Sequence, residues 1–251
     1  MEKFLALIPS RYGSSRFEGK PLVDIFGLPM VVRVYKQASQ IFDNVYIATD
    51  DKRIEKVAIQ YGCNVIMTST SHRNGTDRCR EALEKIEQQK GEKFDVVVNI
   101  QGDEPFINPQ QLEQIKDCFL DKKTDIATLV KPFEADEDIF NPNSPKVTLS
   151  NKMFALYFSR SAIPFIRGSE KDKWQAEHQF YKHIGLYAYR TDVLREITEL
   201  QMGDLEKCES LEQLRWLENG YRIKCSITTH KTYAIDTPED LKMVLEAMKN
   251  V

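Results

Sequence analysis

Short apolar runs rich in β-formers at residues 4–8, 44–49, 63–67 and 94–100 alternate with amphipathic stretches at 29–40, 51–61 and 76–89. Strand–helix–strand repetition of this kind predicts a parallel sheet covered by helices. The run VVVNI has little polar alternation, the mark of a central strand buried on both faces, and the polar turn QGDEP follows it at once. That turn therefore falls at the carboxyl edge of the sheet, where open α/β sheets bind ligands. IPSR and ATDD end two other strands, so the three segments are expected to converge on one crevice.

From about residue 121 the pattern changes. Strands are expected at 125–131, 146–148, 155–159 and 182–189, with the turn FNPNSP between the first two, which suggests an antiparallel or mixed extension of the sheet. The polar stretch 167–179, carrying Gly168, reads as a long loop of the kind that serves as a lid. A helix at 209–219 closed by Gly220, a strand at 222–228 and a last helix opened by DTPEDL complete the chain. Thr237 as N-cap with Pro238 at the first helical position is a well-formed start signal.

Composition narrows the class. The chain has 251 residues, 41% hydrophobic and 29% charged, enough to bury a large core. No apolar run approaches the roughly 18 residues of a membrane span, and the N-terminal MEKFLALIPSR reads as a first strand and not as a signal peptide, so a soluble cytoplasmic protein without membrane partners is expected. Five scattered cysteines without a CxxC pair fit reduced thiols. A net charge of −3 argues against a nucleic-acid partner, although a local basic cluster can still serve a small anion.

Four groups of residues carry candidate chemistry. Loop 10–20 follows a strand and holds Gly13, Gly19, Ser14, Ser15, Arg11, Arg16 and Lys20. Glycine lets backbone amides approach a triphosphate and the cations supply fixed charge. The loop lacks the P-loop and dinucleotide fingerprints, and taken alone such a loop is more often a solvated turn. In QGDEP, Asp103 and Glu104 follow a buried strand, where a carboxylate either holds Mg²⁺ or simply caps a turn; Asp236, at another strand–helix junction, carries the same two readings. SHRNGTDR opens a helix with Gly75, Thr76 and Asp77, either to meet a base or merely to cap the helix. YFSR, HIGLYAY and LEQLR offer Arg160, His183, Tyr187, Glu212 and Gln213, none persuasive singly.

Together, in order, IPSRYGSSRFEGKPL, ATDD, NGTDR, QGDEP, YFSRSAIPF, HIGLYAYR, ESLEQLRWLENG and DTPEDL closely resemble the 3-deoxy-manno-octulosonate cytidylyltransferases, the CMP-Kdo synthetases of lipopolysaccharide assembly. The resemblance runs nearly end to end. It implies a single α/β domain over 1–251, a Rossmann-like nucleotidyltransferase sheet, mostly parallel, with a smaller antiparallel or mixed extension. Within it, 1–120 would bind nucleotide, 121–235 would bind sugar and dimerise, and the helix of 236–251 would pack back on the core. It also implies transfer of CMP from CTP to 3-deoxy-D-manno-octulosonate (Kdo) with release of pyrophosphate, Mg²⁺ as cofactor, and a homodimer built from the second-half strands.

By the same resemblance Arg11, Arg16 and Lys20 grip the triphosphate and act with Asp103 in catalysis. Ser14, Gly75, Thr76, Asp77 and Arg78 also bind CTP, and Asp103 and Asp236 bind Mg²⁺. Gln101, Arg160, His183, Tyr187, Glu212 and Gln213 line the sugar site, an arginine fork being suited to the Kdo carboxylate. Two positions depart from the pattern: Phe17-Glu18 stands where Leu-Pro is common, and Asn74 where Ser is common. Cytidylyl transfer to sialic acid or an amino derivative of Kdo is the nearest alternative reading, and a non-catalytic nucleotide-binding protein is the alternative from another class.

Overall fold

A computed structural model describes residues 2–13, 16–72 and 74–248. In chain order its elements are β1 (Phe4–Ser10), a short hairpin of β2 (Asp24–Ile25) and β3 (Leu28–Pro29), α1 (Met30–Ala38), β4 (Val45–Thr49), α2 (Lys52–Gln60), β5 (Val65–Met67), α3 (Gly75–Lys90), β6 (Val96–Asn99) and α4 (Pro109–Asp117). There follow β7 (Ile126–Pro132), β8 (Lys146–Leu149), β9 (Ala155–Ser159), α5 (Trp174–Glu177), β10 (Tyr181–Arg190), α6 (Thr191–Ile197), α7 (Asp204–Glu209), α8 (Glu212–Glu218), β11 (Ile223–Ile227) and α9 (Pro238–Ala247). The chain forms two compact units, one of Met1–Glu113, Ala188–Thr198 and Lys231–Val251, the other of Gln114–Tyr187 and Glu199–His230.

In the first unit β1 lies parallel to β4 on one side, with Ala6 opposite Val45, and to β6 on the other, with Phe4 opposite Val96. β4 in turn pairs with β5, again parallel. Leu5, Ala6, Leu7 and Ile8 are fully buried, as an interior strand covered on both faces requires. From β1 the chain runs outward through β4 and β5, then returns by α3 to place β6 on β1's other side. The order therefore reverses between β1 and β6, and the crevice lies beyond their carboxyl ends. The last helix packs on this unit through Val244 against Ile25, Met30 and Ile235. Its start is a capping box: Thr237 and Asp240 each take a backbone amide of the other's end.

The second unit is mixed, as expected. β7 and β11 are parallel, with Ile126 opposite Ile223, whereas β8 runs antiparallel to both β10 and β9.

Three local expectations are corrected. Residues 167–179 are not a bare loop: a turn of 3-10 helix at Lys171–Lys173 leads into α5, seated by Trp174, which is 3% exposed and stacks on Phe180. The helix expected at 209–219 is present as α8 but starts later, because Ser210 takes the left-handed conformation at φ 51° and ends a separate short helix, α7, that the pattern did not predict. α4 was not expected, yet its start is signalled in Asn108-Pro109: the Asn108 Oδ1 accepts the amide of Gln110 at 2.9 Å, and Pro109 opens the first turn.

Candidate functional site

The crevice of the first unit holds a cavity of about 250 Å³. Pro9, Ser10 and Arg11 reach it from the end of β1, Arg16, Lys20 and Pro21 from the loop that follows, and Gln101, Gly102 and Asp103 from the turn after β6. His72, Asn74, Gly75 and Arg78 line it from the start of α3, and Asp236 from the approach to α9. Two glycines allow these segments to meet. A Cβ on Gly102 would stand 2.9 Å from Ser10 Oγ and 3.1 Å from the Pro9 carbonyl, and one on Gly75 would stand 3.3 Å from Pro9 Cγ.

At one wall Lys20 Nζ donates to Asp103 Oδ2 at 2.9 Å and to Asp236 Oδ1 at 3.0 Å, and Arg16 Nη2 lies 3.3 Å from the same Asp236 oxygen. The amide of Ile235 donates to the Asp103 carbonyl at 2.9 Å, tying the two acidic turns together. Neither carboxylate is a helix cap. Thr237 and Asp240 do that work, the Asp240 carboxylate taking the amides of Asp236 and Thr237 at 3.0 and 2.9 Å. The Asp236 side chain is thereby left to face the cations. Glu104, by contrast, is buried away from the cavity, and burial together with the charge of Asp103 pushes its carboxyl up to about 7. Of that acidic pair only Asp103 lines the cavity.

At the start of α3, Asn74 Oδ1 accepts the amide of Asp77 at 2.8 Å, the N-cap role that a serine there would also fill. Gly75 and Arg78 line the cavity, whereas Thr76 is buried and Asp77 is not among the lining residues. The Arg78 guanidinium is committed to the wall: it donates to Asp50 Oδ2 at 2.7 Å and to Thr68 Oγ1 at 2.6 Å. Asp50 belongs to ATDD, a motif the sequence places at the crevice without assigning it a task. His72 leans on Glu81, which also accepts the Ser69 amide at 2.8 Å and pairs with Lys85 at 2.7 Å. Burial raises the Glu81 carboxyl, yet these bonds outweigh it and hold the group at about 2.

Ser14 lies outside the described residues. Phe17 packs beside Ile25, Met30, Ile235 and Val244, and the exposed Glu18 is not among the lining residues, so its negative charge does not enter the cavity.

Of the expected sugar-site residues, Gln101 lines this cavity. Arg160, His183, Tyr187, Glu212 and Gln213 belong to the second unit. There His183 Nε2 lies 3.1 Å from Thr128 Oγ1, its ring 5.2 Å from that of Tyr187, which meets Trp216 edge-on at 5.2 Å. The surrounding protein pushes His183 down to about 4, so its imidazole is neutral at pH 7. Gln213 is buried with its Nε2 lacking a hydrogen-bond partner, the state of a side chain shaped to meet a polar ligand. Glu212 begins α8. Arg160 is held by backbone: its Nε donates to the Glu209 carbonyl at 2.6 Å, Nη1 to Pro142 at 2.9 Å and Nη2 to Ser210 at 3.3 Å. Its fork is therefore partly used in shaping the turn after α7.

Among the described residues no three of His, Cys, Asp and Glu gather as a metal cluster, and no helix is long and apolar enough to cross a membrane. Chemically, the cavity offers fixed cations to a polyanion and two carboxylate oxygens to a hard cation.

The cytidylyltransferase family model matches residues 5–224. The 3-deoxy-manno-octulosonate cytidylyltransferase of Parabacteroides distasonis is 58% identical over 100% of both chains. That of Bacteroides thetaiotaomicron is 57% identical over 99% of each. A solved structure of CMP:2-keto-3-deoxy-manno-octonic acid synthetase complexed with CTP superposes with a TM-score of 0.90 at 39% identity, covering 99% of both chains.

Proposed function

The chain belongs to the cytidylyltransferase family, among the 3-deoxy-manno-octulosonate cytidylyltransferases, and from that membership we propose that it transfers CMP from CTP to Kdo, releasing pyrophosphate, in lipopolysaccharide biosynthesis. The observation that carries the reading is the meeting of Lys20, Asp103 and Asp236 in a cavity at the carboxyl ends of β1 and β6. A non-catalytic nucleotide binder has no need of that paired acidic wall.

In the proposed reaction the anomeric oxygen of Kdo forms a bond to the α-phosphorus of CTP as the bond to pyrophosphate breaks, and the hydroxyl proton passes to solvent. Catalysis of such a transfer is chiefly positioning and charge neutralisation. Arg11 and Arg16 are both exposed on the loop after β1, Arg16 lying beside Asp236, and with Lys20 they would offset the charge that gathers on the leaving group. The first amides of α3, a helix of 16 residues beginning at Gly75, add a positive dipole end beside the nucleotide. Arg78, neutralised by Asp50, shapes the pocket instead of adding charge.

The donor set suits Mg²⁺. Two carboxylate oxygens already converge within 3.0 Å of a single cationic nitrogen, and Mg²⁺ favours one or two carboxylates completed by phosphate and water. Asp103 and Asp236 would hold it. Bound there, it would neutralise α-phosphate charge and lower the pKa of the attacking hydroxyl. His183, Tyr187, Glu212, Gln213 and Arg160 of the second unit are proposed to receive the sugar, a role supported by the unpartnered amide of Gln213. A homodimer working in the cytoplasm completes the reading, supported by the exposed apolar Leu156 and Phe165 of the second unit.

The test is pyrophosphate release with CTP, Kdo and Mg²⁺, each omitted in turn, and with sialic acid or an amino derivative of Kdo replacing Kdo. Release that requires all three components and is fastest with Kdo supports the reading; equal rates with every acidic sugar, or none with CTP, overturn it.

A further inference from the structure

The loop carrying Arg11, Arg16 and Lys20 already sets Lys20 and Arg16 against the acidic wall and must also present its cations to a flexible triphosphate. Its two anchors lie just inside the outer cations. The amide of Gly19 donates to the Tyr12 carbonyl at 3.0 Å, closing the loop beside Arg11 and Lys20. Gly19 sits at φ 70°, and a Cβ there would stand 3.0 Å from the Tyr12 hydroxyl oxygen, so the Tyr12 side chain rests directly against the far end of the loop.

Tyr12 is itself covered. The guanidinium of Arg53, in the first turn of α2, lies over its ring with the central carbon 3.3 Å from the centroid. Asp51 fixes that guanidinium as a fork, Oδ1 accepting Nε at 2.9 Å and Oδ2 accepting Nη2 at 2.7 Å. The same Asp51 caps α2 by accepting the Arg53 amide at 2.8 Å, so the fork is tied to the helix end. The exposed Glu18 also acts on Arg53 by its charge, after the larger effect of Asp51. Neither Arg53 nor Asp51 lines the cavity.

We propose that Arg53, locked by Asp51 and stacked on Tyr12, is a positioning residue that holds the phosphate loop in its CTP-ready shape. The proposal rests on the nucleotidyltransferase reading above. Because the clamp touches only the loop's base, its loss should weaken CTP binding and leave sugar binding unchanged.

The experiment compares wild type with Arg53→Ala, Arg53→Lys, Tyr12→Ala, the Arg53→Ala/Tyr12→Ala pair and Asp51→Asn, the last of which keeps an N-cap while removing the charged fork partner. Calorimetric CTP binding with Mg²⁺, KM for each substrate, and tryptic cleavage after Arg11 and Arg16 in the ligand-free chain are measured. Arg53→Ala should raise the CTP Kd and KM about fivefold with KM for Kdo unchanged. Tryptic cleavage should quicken by a similar factor, Arg53→Lys should recover part of both, and the pair should be no worse than either single variant. Unchanged CTP Kd and cleavage in Arg53→Ala, or additive losses in the pair, overturn the clamp. Should Arg53→Ala not fold, Arg53→Lys and Tyr12→Ala decide the same question by the same readouts. A wild-type chain that binds no CTP overturns the function reading instead, and the cleavage measurement still decides the clamp.

Discussion

Lys20 and Asp236 are 216 positions apart in sequence and 3.0 Å apart in space. The ammonium also reaches Asp103 at 2.9 Å, so one lysine holds two carboxylates at a single point of the cavity wall. The Asp236 side chain is 40% exposed, and pairs so open to water contribute at most about 1 kcal/mol to stability. Changes here should therefore register in turnover far more than in folding.

Asp103→Asn is expected to lower kcat by about two orders of magnitude or more at saturating CTP, Kdo and Mg²⁺, with Tm shifted by only a few degrees. Steady-state pyrophosphate release and a thermal melt check both halves. Near wild-type turnover would remove Asp103 from the metal site.

Gly102→Ala should destabilise the first unit by about 1–3 kcal/mol, since the new methyl meets the immovable Pro9 carbonyl as well as Ser10 Oγ. Gly13→Ala, with nothing within 4 Å, is the matched control and should stay within about 0.5 kcal/mol. Urea denaturation of the two variants separates them.

Asn74→Ala removes the oxygen that caps α3 and should cost about 1 kcal/mol, whereas Asn74→Ser should be nearly neutral because its hydroxyl can accept the same amide. The pair explains why this position tolerates the departure. Equal losses in both variants would show that the amide group does something other than cap.

His183 gives the second unit a signed pH dependence. Its folded pKa of about 4 lies below the ordinary 6.5, so between those values the unfolded chain binds more protons than the folded one. Stability is complete above about pH 6.5 and falls as the pH drops toward 4. Burial of the imidazole causes the shift, and relaxation of the surroundings around a charged ring should hold the loss to about 2 kcal/mol, less than the bare shift implies. Denaturation midpoints at pH 4.5 and 7 should differ less in His183→Gln than in wild type, and an unchanged difference would assign the slope to other groups.

Much of this was legible in the sequence because it is local. Strand and helix alternation reports burial within a few residues, so the long strands and first three helices of the parallel half emerged in place, and Thr237-Pro238 announced the last helix within one turn. The breaks came where a local signal was weak or overridden. Ser210 gave no warning of its left-handed turn, and the polar 167–179 concealed Trp174, whose ring finds apolar partners at Phe140, Phe165 and Phe180.

The order of motifs likewise pointed to the chemistry: IPSR and QGDEP lie at strand ends, whereas DTPEDL follows a strand-free stretch after β11 and opens α9, and each carries charge. Which charge meets which was decided by the tertiary structure alone. Asp103 and Glu104 are adjacent and alike in sequence, yet one lines the cavity and the other is buried; Arg78 reads as a ligand-facing cation until Asp50 is found 2.7 Å away. The physical reason is that periodicity records how deeply a residue is buried, whereas the partner of a charge depends on strand register and on the path of turns far along the chain. Only the folded chain, with β1 and β6 side by side, brings Lys20 between its two carboxylates.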